Sequence, residues 1–337
     1  LEMRKEYLGG ETIETIYWGG GTPSQLDKED FETIFYYLHK NYSISSHPEI
    51  TLEANPDDLT PDYIAMLRTL PFNRLSMGIQ TFNESILKVL QRRHTARQAI
   101  EAFQNCRAAG FQNISIDLMY GLPGETLSTW QQDLDQALLL HPEHLSAYHL
   151  IYEEDTVLWK LREQHKVEEA DEDLSVSLFS TLIDRLTSEG YDHYEISNFS
   201  LPGLYSRHNS SYWTEKKYLG CGPSAHSYNG VSRQWNVASL DTYIKGISAG
   251  TPVFEIEELD LYTRYNDFVI TRIRTEWGMP LSKLRDEFGE KLYDYCLRMA
   301  APHLKQGTLE LVNDILKLTR KGIFISDGIM SDMLWTD

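Results

Sequence analysis

Six short β-favouring runs recur along the chain, separated by helical stretches, and this alternation constrains the fold more than any other feature. The runs are Thr15–Trp18, Ile50–Ala54, Leu75–Ile79, Ile114–Met119, Leu145–Leu150 and His193–Ser197. Parallel strands need a long crossover between them, so strand and helix in alternation predict βαβ units. The intervening helices carry their own signals. Asp27 precedes Phe31, Ile34, Phe35 and Leu38 at helical spacing, and Thr60-Pro61 reads as an N-cap followed by proline at N1. Helical patterns follow over Ala96 to Ala109 and Leu127 to Leu140. Each run is mostly apolar, as expected of strands covered by helices.

The pattern changes after Ser197. Leu201 to Trp235 is rich in Gly, Tyr, Asn and Trp with little periodicity, which predicts a loop-rich, functional stretch. Helical spacing returns in Tyr265 to Arg274, Leu281 to Phe288 and Lys291 to Lys305, followed by Leu309–Val312 and Ile315–Leu318 as a hairpin. The expected fold class is α/β: an incomplete parallel (β/α)6-type barrel with a small C-terminal helical, winged-helix-like domain. The expected boundaries are 1–200, 201–258 and 259–337.

Fifty acidic against thirty-one basic residues give a net charge of -19, which repels phosphate backbones and argues against a nucleic-acid partner. No apolar stretch approaches the roughly 20 residues of a membrane span. Cys106, Cys221 and Cys296 are odd in number and far apart, which fits a reducing compartment, hence the cytoplasm, rather than a disulfide framework. Leu1 to Tyr7 lacks a signal-peptide profile, and without an initiator methionine the true N-terminus is expected elsewhere.

Four segments carry candidate chemistry. Trp18-Gly19-Gly20-Gly21-Thr22-Pro23 is either a tight βα turn or a backbone grip for an amino acid's ammonium and carboxylate. Glu53, in Leu52-Glu53-Ala54-Asn55-Pro56, is either a structural ion pair or a binder of ribose hydroxyls or ammonium. Gln80 ends a strand with both donor and acceptor, and Arg92 offers a planar fork, although arginine pairs are commonly solvated helix surface and His94 a packed residue. Asp117 lies before the Gly121-Leu122-Pro123-Gly124 loop as a hydroxyl binder. Gly21, Glu53, Gln80 and Asp117 are all expected at or near the C-terminal ends of successive strands, the face that holds the active site in parallel barrels.

Gly-Gly-Gly-Thr-Pro at 19–23, Glu-Ala-Asn at 53–55, Gly-Ile-Gln-Thr-Phe at 78–82, Arg92 with His94, and Asp-Leu-Met-Tyr-Gly-Leu-Pro-Gly at 117–124 occur in order through much of the chain. Together they resemble the motifs of the coproporphyrinogen dehydrogenase and heme chaperone family of radical S-adenosylmethionine (SAM) proteins. The resemblance implies that Gly19, Gly20, Gly21, Thr22 and Pro23 hold the methionine part of SAM. It implies that Glu53, Asn55, Gln80, Arg92 and Asp117 contact the ribose and polar atoms, and that Ile151 packs near the adenine. It further implies a [4Fe–4S] cluster that reduces SAM. The family's Cys-x3-Cys-x2-Cys motif is absent from these residues, so the cluster loop is expected outside this chain. A chain without that loop is expected to bind SAM poorly and to leave the Thr15–Trp18 strand at a sheet edge.

Arg207-His208-Asn209-Ser210-Ser211-Tyr212-Trp213 resembles the His-Asn-x-x-Tyr-Trp signature of the heme chaperone branch. This implies heme or porphyrin as ligand, with His208 on the iron and Cys221 or His226 as alternatives. The other reading has His208 and Asn209 bonding a loop while Tyr212 and Trp213 are core. Two functions follow from the resemblance: a chaperone passing heme to an acceptor protein, or oxygen-independent coproporphyrinogen III dehydrogenase. A barrel hydrolase using Glu53 and Asp117 is a third reading, and it leaves the glycine turn unexplained.

Overall fold

The computed structural model describes residues 1–336, so Asp337, counted in the expected C-terminal domain, lies outside the described residues. The chain forms two compact units. One comprises Glu14–Ile34 and His47–Ser206; the other comprises Leu1–Ile13, Phe35–Ser46 and the chain from Arg207 onward.

The first unit is organised by a parallel-rich, half-barrel sheet of seven strands. In chain order the elements are β1 (Ile13–Trp18), α1 (Lys28–Asn41), β2 (Ile44–Ala54), α2 (Pro61–Leu67), β3 (Arg74–Gln80), α3 (Glu84–Val89), α4 (Ala96–Ala108) and β4 (Ile114–Tyr120). They continue with α5 (Leu127–Leu140), β5 (His144–His149), α6 (Val157–Glu163), α7 (Glu172–Ser188), β6 (Asp192–Glu195) and β7 (Asn198–Ser200). The spatial order is β1-β2-β3-β4-β5-β7-β6, with β1 at one edge. Strands β2 to β5 are parallel. The expected sixth parallel strand is instead a tight hairpin: β7 is antiparallel to both β5 and β6. Only two residues separate β6 from β7, too few for a parallel crossover.

The strands are mostly apolar by count, but in β2 to β5 their polar residues fall at alternate positions. Register and pleat put Ile50, Leu52, Ala54, Leu75, Met77, Ile79, Ile114, Ile116, Leu118, Leu145, Ala147 and Phe199 on one face, all buried. Each of the larger side chains contributes about 1.5–3 kcal/mol by burial. The other face is mostly polar: Thr51 and Glu53; Arg74, Ser76 and Gly78; Ser115 and Asp117, with Met119 beyond them; His144, Ser146 and Tyr148; then Asn198 and Ser200. Helices cover the apolar face, and capping holds their starts. Thr60 accepts from Tyr63 N–H, and Thr95 and Thr126 form capping boxes with Gln98 and Thr129, each worth about 1 kcal/mol.

The second unit contains α8 (Arg207–Tyr212), β8 (His226–Tyr228), β9 (Ser232–Asn236), α9 (Leu240–Ser248) and β10 (Phe254–Glu258). Strands β8, β9 and β10 form an antiparallel sheet, so the 201–235 stretch is less irregular than its composition implies. Beyond it lie α10 (Leu261–Ile273), β11 (Met279–Pro280), α11 (Leu281–Gln306), β12 (Leu309–Val312), β13 (Ile315–Leu318), α12 (Arg320–Ile323) and α13 (Ser326–Met333). The hairpin expected over 309–318 is present as β12 and β13. The two helices expected at 281–288 and 291–305 are halves of α11, joined at Gly289 with φ 79° and ψ 172°.

Candidate functional site

The site begins where β1 runs into the glycine turn. Glu53 Oε1 accepts a 2.6 Å hydrogen bond from the Tyr17 hydroxyl, and its Oε2 accepts from the Gly20 N–H at 3.3 Å. Burial, reinforced by the Glu53 charge, pushes the Tyr17 phenol far up, so Tyr17 is a fixed donor. Gly19 has no room for a side chain: a Cβ would lie 2.5 Å from the Tyr17 ring and 2.7 Å from the Glu53 carboxyl. At Gly20 and Gly21 nothing lies within 4 Å of that position, so the turn is closed toward Glu53 and open beyond it. Thr22 then leads into the short 3-10 turn Pro23–Gln25.

A second knot forms at the end of β3. Arg92 Nη2 donates to Asn55 Oδ1 at 2.7 Å and to the Gly78 carbonyl at 2.8 Å, tying the β2 and β3 ends together. A Cβ on Gly78 would lie 3.1 Å from Gln80 Nε2 and 3.6 Å from Arg92 Nη2. Gln80 adopts φ 71° and the β3–β4 register slips at this point. Such a backbone costs about 1–2 kcal/mol for a residue with a side chain. Asp133 of α5 offsets the strain by accepting from Thr81 Oγ1 at 2.5 Å and Phe82 N–H at 2.8 Å. His94 is buried and donates from Nε2 to the Ile79 carbonyl at 3.1 Å, so it is a packing residue.

Asp117 stands in the middle of β4 rather than at its C-terminal end, three residues before Tyr120. Ser76 Oγ lies 3.2 Å from both of its carboxylate oxygens. Burial raises the Asp117 carboxyl to about 6, against the Ser146 hydrogen bond and the charge of Arg74, while Glu53 adds to the rise. The structure thus brings Gly19, Gly20 and Glu53 together, gathers Asn55, Gln80 and Arg92 into a second group, and couples Asp117 to Glu53 through their charges. Ile151 follows β5 in a loop and is 73% exposed. Sequence reasoning missed Tyr17, Arg74, Ser76 and Ser146. Their signal is the period-two polar pattern of the strands.

In the second unit, His208 and Tyr212 are one turn apart on α8. His208 Nε2 lies 2.9 Å from the Tyr212 hydroxyl, and the rings meet edge to face at 5.2 Å. The face of Trp213 is covered by the Arg274 guanidinium at 4.1 Å. Cys221 is exposed, and His226 stacks on Trp235 at 6.0 Å.

Residues 1–137 match the radical SAM superfamily, and residues 259–325 match the HemN C-terminal domain. The chain is 32% identical over 335 residues to the heme chaperone HemW of Mycobacterium tuberculosis, covering 99% of this chain and 84% of that protein. It belongs to the HemW family. The HemW of Lactococcus lactis is also 32% identical, with 97% of this chain and 86% of that one covered. Coproporphyrinogen III oxidase (HemN) from Escherichia coli has the same fold, with TM-score 0.83, 22% identity and coverage of 98% of this chain and 81% of that one.

Family membership makes SAM, a [4Fe–4S] cluster and heme the groups to test against these residues. The Gly19 cradle, the open Gly20–Gly21 backbone and the buried Arg92 Nε, which has no protein partner, fit a polar ligand such as SAM. An [4Fe–4S] cluster does not fit. Cys106 and Cys296 are buried, with thiols pushed up to about 12 and about 11 by desolvation, and among the described residues no group of His, Cys, Asp or Glu is placed to hold a metal ion. For heme, the candidate ligand is His208 on α8, whose Nε2 lies 2.9 Å from the Tyr212 hydroxyl.

Proposed function

We propose that this protein is a heme chaperone that binds heme and passes it to an acceptor protein, with SAM bound at the polar rim of the half-barrel. The reading is carried by likeness over 99% of the chain to a protein named for heme chaperoning. Segments 1–200, 201–258 and 259–337 serve as partial barrel, heme segment and winged-helix-like domain, in the cytoplasm. No helix among the described residues is long and apolar enough to cross a membrane.

Gly19 to Pro23 receive the methionine end of SAM, Glu53, Asn55, Gln80, Arg92 and Asp117 its ribose and polar atoms, and Ile151 flanks the adenine. When bound, SAM would supply a sulfonium open to reductive cleavage. Tyr17 keeps Glu53 oriented by a hydrogen bond it cannot reverse, since its phenol stays protonated. On α8, the Tyr212 hydroxyl lies 2.9 Å from His208 Nε2 and holds the imidazole beside its ring. His208 is the residue proposed to meet heme iron, through an imidazole nitrogen.

Heme titration of the full-length, cluster-reconstituted protein tests this by absorbance. His208→Ala is expected to weaken heme binding about tenfold or more, which is the scale of an outer or inner ligand loss; unchanged affinity removes His208 as ligand. Incubation with SAM, a reductant and coproporphyrinogen should return no vinyl product, and its appearance would replace the chaperone reading with the dehydrogenase.

A further inference from the structure

Helix α8 carries His208, yet it is six residues long and has no buried residue, so it is too short to persist without contacts to its surroundings. Just past its C-terminal end, Lys216 N–H reaches back to the Ser211 carbonyl at 3.2 Å, and Glu215 sits in the left-handed region at φ 58°. Glycine fills such a helix-ending position at no steric cost, whereas a side chain there strains the backbone. A glutamate at this place calls for a reason in what its carboxylate does.

Glu215 Oε2 accepts from Arg272 Nη2 at 3.0 Å and from Lys283 Nζ at 2.7 Å. Arg272 lies in the last turn of α10 and Lys283 is the third residue of α11, so one oxygen joins the end of the His208 helix to both following helices, all inside the second unit. The Arg272 and Glu215 side chains are 14% and 23% exposed, which shields the pair from the screening that weakens surface pairs. Lys283 needs acids nearby, because the helix dipole opposes a cation in a first turn; Glu287 stands 3.4 Å from it as well. Between Glu215 and His208, Trp213 lies under the Arg274 guanidinium at 4.1 Å, and the Tyr212 ring meets His208 at 5.2 Å and Tyr218 at 4.8 Å, edge to face in both cases.

We propose that Glu215 is a positioning residue for the heme segment: by bridging Arg272 and Lys283, its carboxylate sets where the C-terminal end of α8 stands, and through Tyr212 where the His208 imidazole stands. The consequence for heme rests on the reading of His208 given above; the ionic tie between α8 and the C-terminal helices does not.

The test uses full-length, cluster-reconstituted protein and two substitutions that perturb the position differently. Glu215→Gln keeps the side chain's shape and the strained backbone but leaves Arg272 and Lys283 facing each other without a charge between them. Glu215→Gly removes the side chain and relaxes the backbone, so it should be the more stable of the two in urea denaturation. Hydrogen exchange without heme reads the tie itself: in Glu215→Gln the 207–214 segment should exchange about tenfold faster, with α4 unchanged. Unchanged protection overturns the proposal. Heme titration by absorbance reads the consequence. Both variants should lose about fivefold in affinity, and Arg272→Met placed on Glu215→Gln should add no further loss. Affinity losses that rank with the urea midpoints, or that add with Arg272→Met, make Glu215 a stability residue only and overturn the positioning role. If His208→Ala leaves heme affinity unchanged while Glu215→Gln still frees the segment, the heme reading fails and the ionic tie stands.

Discussion

Glu125 shows how one carboxyl couples loop geometry to pH. Its Oε2 accepts from Gly121 N–H at 2.7 Å and Leu122 N–H at 3.3 Å, closing the loop after β4, while Oε1 is buried with no protein partner. Burial raises the carboxyl to about 7 despite those two bonds, and Asp133 adds to the rise. A folded-state value above the unfolded one means the native protein binds the proton more tightly. The stabilisation is complete below the unfolded value of about 4.5 and is lost as pH rises through about 7. Between pH 6 and pH 8 this amounts to about 1.4 kcal/mol. Glutamine keeps an oxygen for both backbone donors and does not titrate. Glu125→Gln is therefore expected to be more stable than the wild type at pH 8, with the difference shrinking by about 1.4 kcal/mol at pH 6 in urea denaturation. A pH-independent difference would show that Glu125 is already ionised in the native state throughout that range.

Among the elements, α11 was the most legible and β6–β7 the least. Two helical patterns separated at Gly289 were readable because glycine interrupts an otherwise apolar period, and the structure keeps one axis break there. The Gly289 conformation is open essentially to glycine alone, while no atom lies within 4 Å of an added Cβ. Gly289→Ala should thus lose about 1–3 kcal/mol through backbone strain alone, measured by urea denaturation. A gain in stability with more helical circular dichroism would mean that the two halves prefer to fuse. By contrast, His193–Ser197 reads as one strand because nothing local distinguishes a strand from the first arm of a hairpin. The reversal is decided by β7 pairing with β5, from which it is distant in sequence, as in Leu145 with Phe199. The glycine turn, Glu53, Asn55, Gln80 and Arg92 were legible from residue type and from their place after apolar runs. Tyr17, Arg74, Ser76 and Ser146 were not, because an interleaved polar residue looks like dilution of an apolar strand until register aligns it with its neighbours.

Across the whole first unit, the two faces of the sheet differ in what they bury. The apolar face supplies the core, whereas the polar face buries groups that a purely structural sheet would avoid. Thr51 Oγ1, Arg74 Nε, Asn198 Oδ1 and Ser200 Oγ all lie on that face without a protein partner. Each unsatisfied group costs about 1–3 kcal/mol, so the wall is maintained at the expense of stability. Thr51 and Ser76 are both on this face, Thr51 level with Arg74 and Ser76 level with Glu53, and they should answer differently to removal of a hydroxyl. Thr51→Val preserves shape and deletes an unpartnered oxygen, so it should raise stability by about 1 kcal/mol, with the urea midpoint shifting at constant slope. Ser76→Ala removes the hydroxyl that touches Asp117 and should weaken SAM binding instead. If Thr51→Val were stabilised but lost SAM affinity, the ligand-contacting part of the wall would have to extend down to the Thr51–Arg74 row. If it were destabilised, the Thr51 hydroxyl would have to belong to a satisfied network, and the cost assigned to this face would fall on the remaining three groups.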